Sequence, residues 1–106
     1  PIAKQQAVQF MIADMEMKTQ AARLMAYHAA ELIDRGIASP LVGACTKCFC
    51  GDSAVEIALN AIQVYGGYGY SRDYPVEKLL RDAKIYQIFE GTNQIQRVTI
   101  AGNLLK

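Results

Sequence analysis

The sequence offers little with which to hold a metal, grip nucleic acid or cross a membrane. It contains one histidine, His28, and three cysteines. A tetrahedral zinc site needs four ligands, and His28 falls on a different expected helix from Cys45, Cys48 and Cys50. No metal site is expected. Basic and acidic residues nearly balance, 11 against 10, for a formal net charge of +1. That excludes the basic stripe of a nucleic-acid binder and a polybasic membrane patch. No run of 18 apolar residues occurs, so nothing should span a bilayer. No signal peptide, repeat, low-complexity stretch or strong strand pattern is visible. The chain opens at Pro1 and not at Met, which suits a fragment or a processed product.

The cysteines crowd into one expected helix. An odd, clustered set is a poor disulfide framework, and reduced thiols fit a cytosolic or matrix-like compartment better. Cys45 and Cys48 form a C-x-x-C, but a thioredoxin-like redox pair would want a preceding strand. Buried structural thiols are the better reading, because free cysteine is among the most buried residue types.

What is present is helical patterning. The hydrophobic content of 52% can supply a core for one small domain or for a piece of a larger protein. Residues 4–35 read as one amphipathic helix whose seam is Val8, Ile12, Met15, Thr19, Ala22, Ala26, Ala29 and Ile33. Phe10, Met17 and Leu24 add a second stripe, which implies a second neighbour or another chain. Asp14 and Lys18 form an i,i+4 pair. Gly36 ends the helix. Ser39 then caps a new helix with Pro40 at its first position. Leu41, Cys45, Cys48, Val55, Leu59 and Ile62 line one face. Ala44, Gly51, Ala54, Ala58 and Ala61 permit close helix contact, and Ser53, Glu56, Asn60 and Gln63 fall on a polar side. The helix stops at Gly66-Gly67. Short connections make the two helices antiparallel neighbours.

Residues 66–74 form a glycine-rich loop. No strand precedes it, so it is not a dinucleotide fingerprint of the Rossmann kind. Spacing alone favours a turn that needs glycines; the other reading is a backbone that approaches a cofactor closely. Pro75 opens a third helix over 75–86, with Glu77 in its first turn. Val76, Leu79, Leu80 and Ala83 should face inward. Arg81, Asp82 and Lys84 suggest ion pairs that fix this helix to the bundle. A fourth helix over 92–104 should pack through Ile95, Val98, Ile100 and Leu105.

Between the last two helices, Glu90 ends a mostly apolar run and Gly91 frees the backbone. Thr92 or Asn93 is a good N-cap, and Asn93 with Gln96 reads as a capping box. The first turn behind it would aim free N–H groups and the positive end of the helix dipole at an electron-rich group. A carboxylate there, in surroundings that exclude water, suits a general base: burial raises its pKa and the helix N-terminus lowers it. Spacing alone, however, favours an ordinary surface loop with an acidic residue.

Residues 74–97, from Tyr-Pro-Val-Glu-Lys-Leu-Leu-Arg-Asp-Ala-Lys to Ile-Tyr-Gln-Ile-Phe-Glu-Gly-Thr-Asn-Gln-Ile-Gln-Arg, closely resemble the C-terminal signature of the acyl-CoA dehydrogenases. Residues 63–70, Gln-Val-Tyr-Gly-Gly-Tyr-Gly-Tyr, resemble the family's second flavin motif. The two motifs stand in the family's order, and with the helices before them the resemblance covers nearly the whole chain. It implies an all-α antiparallel helical bundle, residues 1–106 being a C-terminal domain fragment without its first helix. The N-terminal helical and middle β domains of such enzymes are not in this sequence. It implies an FAD flavoprotein of fatty acid β-oxidation that desaturates acyl-CoA thioesters. A homotetramer and an electron-transfer flavoprotein as redox partner follow from the same likeness, as does a bacterial cytoplasmic or mitochondrial matrix location.

Residue by residue, the resemblance makes Glu90 the base that removes the α proton while a hydride leaves the β carbon for the flavin. It gives the Glu90 N–H a part in polarising the thioester carbonyl, and Gly91 a substrate contact. It assigns Thr92, Asn93 and Gln94 to FAD. It assigns Gln63, Val64, Tyr65, Gly66 and Gly67 to an FAD held mainly by a neighbouring subunit. Phe89 stands where members often have Tyr. Glu90 places the chain with the short- and medium-chain-like branches, since others keep the base elsewhere. A non-catalytic helical oligomerisation module and an acyl-CoA oxidase-like relative remain as alternatives. By itself the fragment is expected to bind flavin weakly and turn over no substrate.

Overall fold

Two caps and two glycines set the long hairpin. In the computed structural model, which describes all 106 residues, Gly36 turns the chain at φ 70° after helix α1, Gln6–Asp34. Ser39 Oγ then accepts the Val42 N–H at 3.2 Å, and Pro40 begins helix α2, Pro40–Tyr65. Gly66 ends α2 at φ 67°. Helix α3 is Val76–Lys84 and helix α4 is Asn93–Leu104. Short 3-10 turns occupy Ile2–Lys4, Gly66–Tyr70 and Ile85–Gln87. There is no strand, so the all-α expectation holds, and the third helix is shorter than the 75–86 its pattern suggests.

Helix α2 is the shared wall: α1, α3 and α4 all pack on it. Its small residues make this possible. Ala44, Cys48, Gly51, Ser53 and Ala58 are its buried positions. At Gly51 a Cβ would lie 2.8 Å from the Tyr86 carbonyl oxygen and 3.0 Å from Asn93 Nδ2, so only glycine admits the segment that crosses here. At Gly69 a Cβ would lie 2.6 Å from the Ile62 carbonyl oxygen, which ties the glycine-rich turn back onto α2.

Several expected faces are rotated. On α1, Val8, Met15, Thr19, Ala22 and Ala29 of the expected seam are half-buried, while Ile12, Ala26 and Ile33 are exposed and Met11, Met25 and Leu32 take the inward places. At those three places the inward residue is one position before the expected one, about 100° around the helix. Lys18 pairs across to Glu56 of α2 at 3.4 Å and not with Asp14. Ser53 is buried and not on a polar side. Leu79 of α3 is exposed; Ile95, Val98 and Leu105 are exposed as well, α4 presenting polar Asn93 to α2 in their place. The ion pairs of α3 run within the helix, Arg81 to Glu77 at 3.0 Å and Lys78 to Asp82 at 3.0 Å, so they do not fasten it to the bundle. Phe10, Met17 and Leu24 are 61%, 62% and 68% exposed, so the second apolar stripe of α1 has no partner within this chain.

Candidate functional site

After α3 the 3-10 turn closes with the Ile88 and Phe89 N–H groups both donating to the Ile85 carbonyl at 2.9 Å. The chain then enters left-handed backbone twice in succession, at Glu90 (φ 55°) and Gly91 (φ 86°). Glu90 is the one non-glycine residue with positive φ. Such a conformation costs on the order of 1–3 kcal/mol and persists only where neighbours enforce it. Here Gln96 Nε2 donates to the Glu90 carbonyl at 3.1 Å, and Lys47 Nζ donates to the Gly91 carbonyl at 2.7 Å.

Thr92 is the cap of α4, its Oγ1 accepting the Ile95 N–H at 3.2 Å. The capping box expected of Asn93 and Gln96 does not form. Asn93 is drawn inside, and Gln96 reaches past it to Glu90. The first backbone bond of α4 runs from the Gln96 N–H to the Thr92 carbonyl, so the N–H groups of Asn93 and Gln94 lie ahead of it at the positive end of the helix.

Beneath the turn lies a polar cluster that sequence reasoning missed. Asn93 is 2% exposed, and every polar atom of its side chain is used. Its Nδ2 donates to Asp52 Oδ1 at 2.7 Å and to the Cys48 carbonyl at 3.1 Å, and its Oδ1 accepts from Lys47 Nζ. Asp52 also accepts from Gln87 Nε2 at 3.0 Å and from Arg97 Nη2. Burial pushes the Asp52 carboxyl up, but hydrogen bonds from Arg97, Asn93 and Gln87 outweigh it, and the net pKa is lowered. Cys48 shifts the other way, raised chiefly by burial, which suits a structural thiol. It is the one buried cysteine; Cys45 and Cys50 are half-buried, and all three are free. The signal in the sequence was an i,i+4 pair on each helix, Cys48 with Asp52 and Asn93 with Arg97, beside an interior glycine.

The structure brings Glu90, Gly91, Thr92, Asn93 and Gln94 together in one turn over the middle of α2. With its side chain consumed, Asn93 has only its backbone to offer a ligand. Glu90 is exposed, so the dry surroundings expected of a base are not supplied by this chain. Phe89 packs edge-on against Tyr86 with ring centroids 5.5 Å apart, and both line an apolar hollow of about 320 Å³ with Gly51 and Ala54. Gln63, Val64, Tyr65, Gly66 and Gly67 lie elsewhere, at the C-terminal end of α2. From Cys48, which touches Asn93, to Gln63 is about 22 Å along the helix at its normal rise. Apart from half-buried Val64 these residues are exposed, and Tyr65 and Tyr68 pack on Tyr74 at 6.0 and 5.5 Å. The two groups of candidate flavin contacts thus form separate surfaces.

The family described as acyl-CoA dehydrogenase, C-terminal domain, matches residues 1–105. An acyl-CoA dehydrogenase of Bacillus subtilis (strain 168) is 53% identical over 105 residues, covering 99% of this chain and 28% of that protein. Butyryl-CoA dehydrogenase from Megasphaera elsdenii superposes with a TM-score of 0.96 at 42% identity, over 100% of this chain and 28% of its own. An FAD complex of PigA superposes with a TM-score of 0.92 at 33% identity, over 97% of this chain and 27% of that one. The chain therefore spans little more than a quarter of the proteins it matches. Helices, signature turn and sequence likeness agree along almost every residue: the chain belongs to the acyl-CoA dehydrogenase family.

Proposed function

We propose that this chain is the base-bearing C-terminal segment of an FAD-dependent acyl-CoA dehydrogenase, with Glu90 removing the α proton of an acyl-CoA thioester. The observation that carries this reading is the backbone of Glu90. A carboxylate is held in left-handed backbone, at a strain cost, two residues before Thr92, the cap of α4. Strain of that kind is retained where it sets a side chain for chemistry. Gly91 beside it has no side chain to obstruct a substrate. The Glu90 N–H is a donor for the thioester oxygen, where negative charge develops as the proton leaves.

The donors present fit a flavin dinucleotide. The N-terminus of α4 offers backbone N–H groups, and the Gln63 amide and bare Gly66-Gly67 backbone offer a second surface. Bound FAD would supply the acceptor for the hydride that leaves the β carbon. The separation of about 22 Å along α2 supports contact with two different flavins, one from a neighbouring subunit. A homotetramer as the working form accords with the exposed apolar residues Phe10, Met17, Leu24, Ile95 and Val98. An electron-transfer flavoprotein is the proposed redox partner. Glu90 is exposed here, so water must be excluded by the other domains. Residues 1–106 alone should accordingly bind flavin weakly and turn over nothing.

The test is anaerobic titration of the full-length FAD enzyme with acyl-CoA thioesters of graded length. Bleaching of the flavin absorbance by at least one of them is expected. No bleaching by any would refute the proposal.

A further inference from the structure

The turn that carries Glu90 is gripped at two consecutive carbonyls from two different helices. Gln96 Nε2, from α4, holds the carbonyl of Glu90 itself at 3.1 Å. Lys47 Nζ, from α2, holds the carbonyl of Gly91 at 2.7 Å and also meets Asn93 Oδ1. Lys47 lies 44 residues from Gly91 in sequence, so this is a tertiary contact that local folding cannot supply. The grip falls on the two residues of left-handed backbone that follow the 3-10 turn. A flip of the peptide following either residue would break one of these bonds, so the two bonds together hold the backbone from which the Glu90 side chain projects. Neither donor reaches the carboxylate, and neither is needed to build a helix. Gln96 makes no other side-chain hydrogen bond.

We propose that Lys47 and Gln96 are positioning residues for Glu90, a two-point clamp that fixes the direction of the base. The proposal rests on the reading of Glu90 as the base. A clamp of this sort acts on the step in which the α proton and the β hydride leave, chiefly through the proton, and leaves ligand affinity largely alone. Small misplacements of a reacting group can cost about 100-fold in rate.

The experiment uses the full-length FAD enzyme and its Gln96→Leu, Lys47→Met and Lys47→Arg variants, with Glu90→Gln in parallel. Single-turnover flavin bleaching is followed with ordinary, α-deuterated and β-deuterated acyl-CoA. Loss of the clamp should slow bleaching by about 10- to 100-fold with KM little changed. The α-deuterium isotope effect should grow more than the β-deuterium effect, and Lys47→Arg should recover part of the rate. Flavin content should stay at the parent level. Should Lys47→Met not fold, Gln96→Leu and Lys47→Arg decide. Parent rates and an unchanged α-deuterium effect in Gln96→Leu overturn the clamp. If Glu90→Gln stops bleaching while Gln96→Leu behaves as parent, the clamp fails and the base stands. If Glu90→Gln bleaches at the parent rate, the base reading fails and the clamp with it.

Discussion

Replacing Asp52 by Asn tests what holds the signature turn to α2. The carboxylate accepts from Asn93 Nδ2 at 2.7 Å, from Gln87 Nε2 at 3.0 Å and from Arg97 Nη2. The Arg97 pair is largely solvated, its two side chains being 58% and 32% exposed, so it contributes only about 0.2–1 kcal/mol. The bonds from buried Asn93 and from Gln87 matter more. A hydrogen bond to a charged group is worth about 1.5–3 kcal/mol, and the Asn oxygen can keep one of them in weaker form. The net loss should be about 2–3 kcal/mol, confined to local opening of residues 85–97. In the full-length enzyme, amide exchange there should accelerate by about 30- to 150-fold. Exchange in α1, which Asp52 does not hold, should be unchanged. The pH dependence has a definite sign. Burial raises the Asp52 pKa, the three donors together lower it by more, and the folded value ends below the ordinary one. Its contribution is therefore complete above the unfolded carboxylate value and lost as pH falls through the lowered folded value. Asp52→Asn should lack that acid step. Equal protection of residues 85–97 in parent and variant would refute the reasoning.

Two further changes probe the same region. Gly51→Ala places a Cβ 2.8 Å from the Tyr86 carbonyl oxygen. That overpacking should cost about 1–3 kcal/mol, read as a lower thermal midpoint together with faster exchange in residues 85–93. Thr92→Val keeps the shape of the cap and loses its acceptor for the Ile95 N–H, for a loss of about 1 kcal/mol seen as faster exchange in the first turn of α4.

Caps and chain breaks were legible because their causes are local. Ser39-Pro40, Gly36 and Gly66 act within a few residues of themselves, and the structure uses each as expected. Thr92 was one of two candidate caps, and only packing could choose it: Asn93 is recruited by Lys47, Cys48 and Asp52, all more than 40 residues away. Which way α4 faces was hidden for the same reason. Ile95 and Val98 have the apolar character of core residues, yet α4 meets α2 through Asn93 and Arg97. The seam of α1 was legible at Val8, Met15, Thr19, Ala22 and Ala29, and missed by one position at Ile12, Ala26 and Ile33, because two apolar lines, through Ile12 and through Met11, run side by side. Glu90 was singled out by its neighbours in sequence, but its positive φ depends on donors from two helices.

The most direct measurement is single-turnover reduction of the full-length FAD enzyme carrying Glu90→Gln. The amide keeps the size of the side chain and the backbone bonds of the turn, and removes only the proton acceptor. Flavin binding should persist, and the rate of bleaching by acyl-CoA should drop by about 100- to 10,000-fold. Bleaching at the parent rate would contradict the assignment of Glu90 as the base.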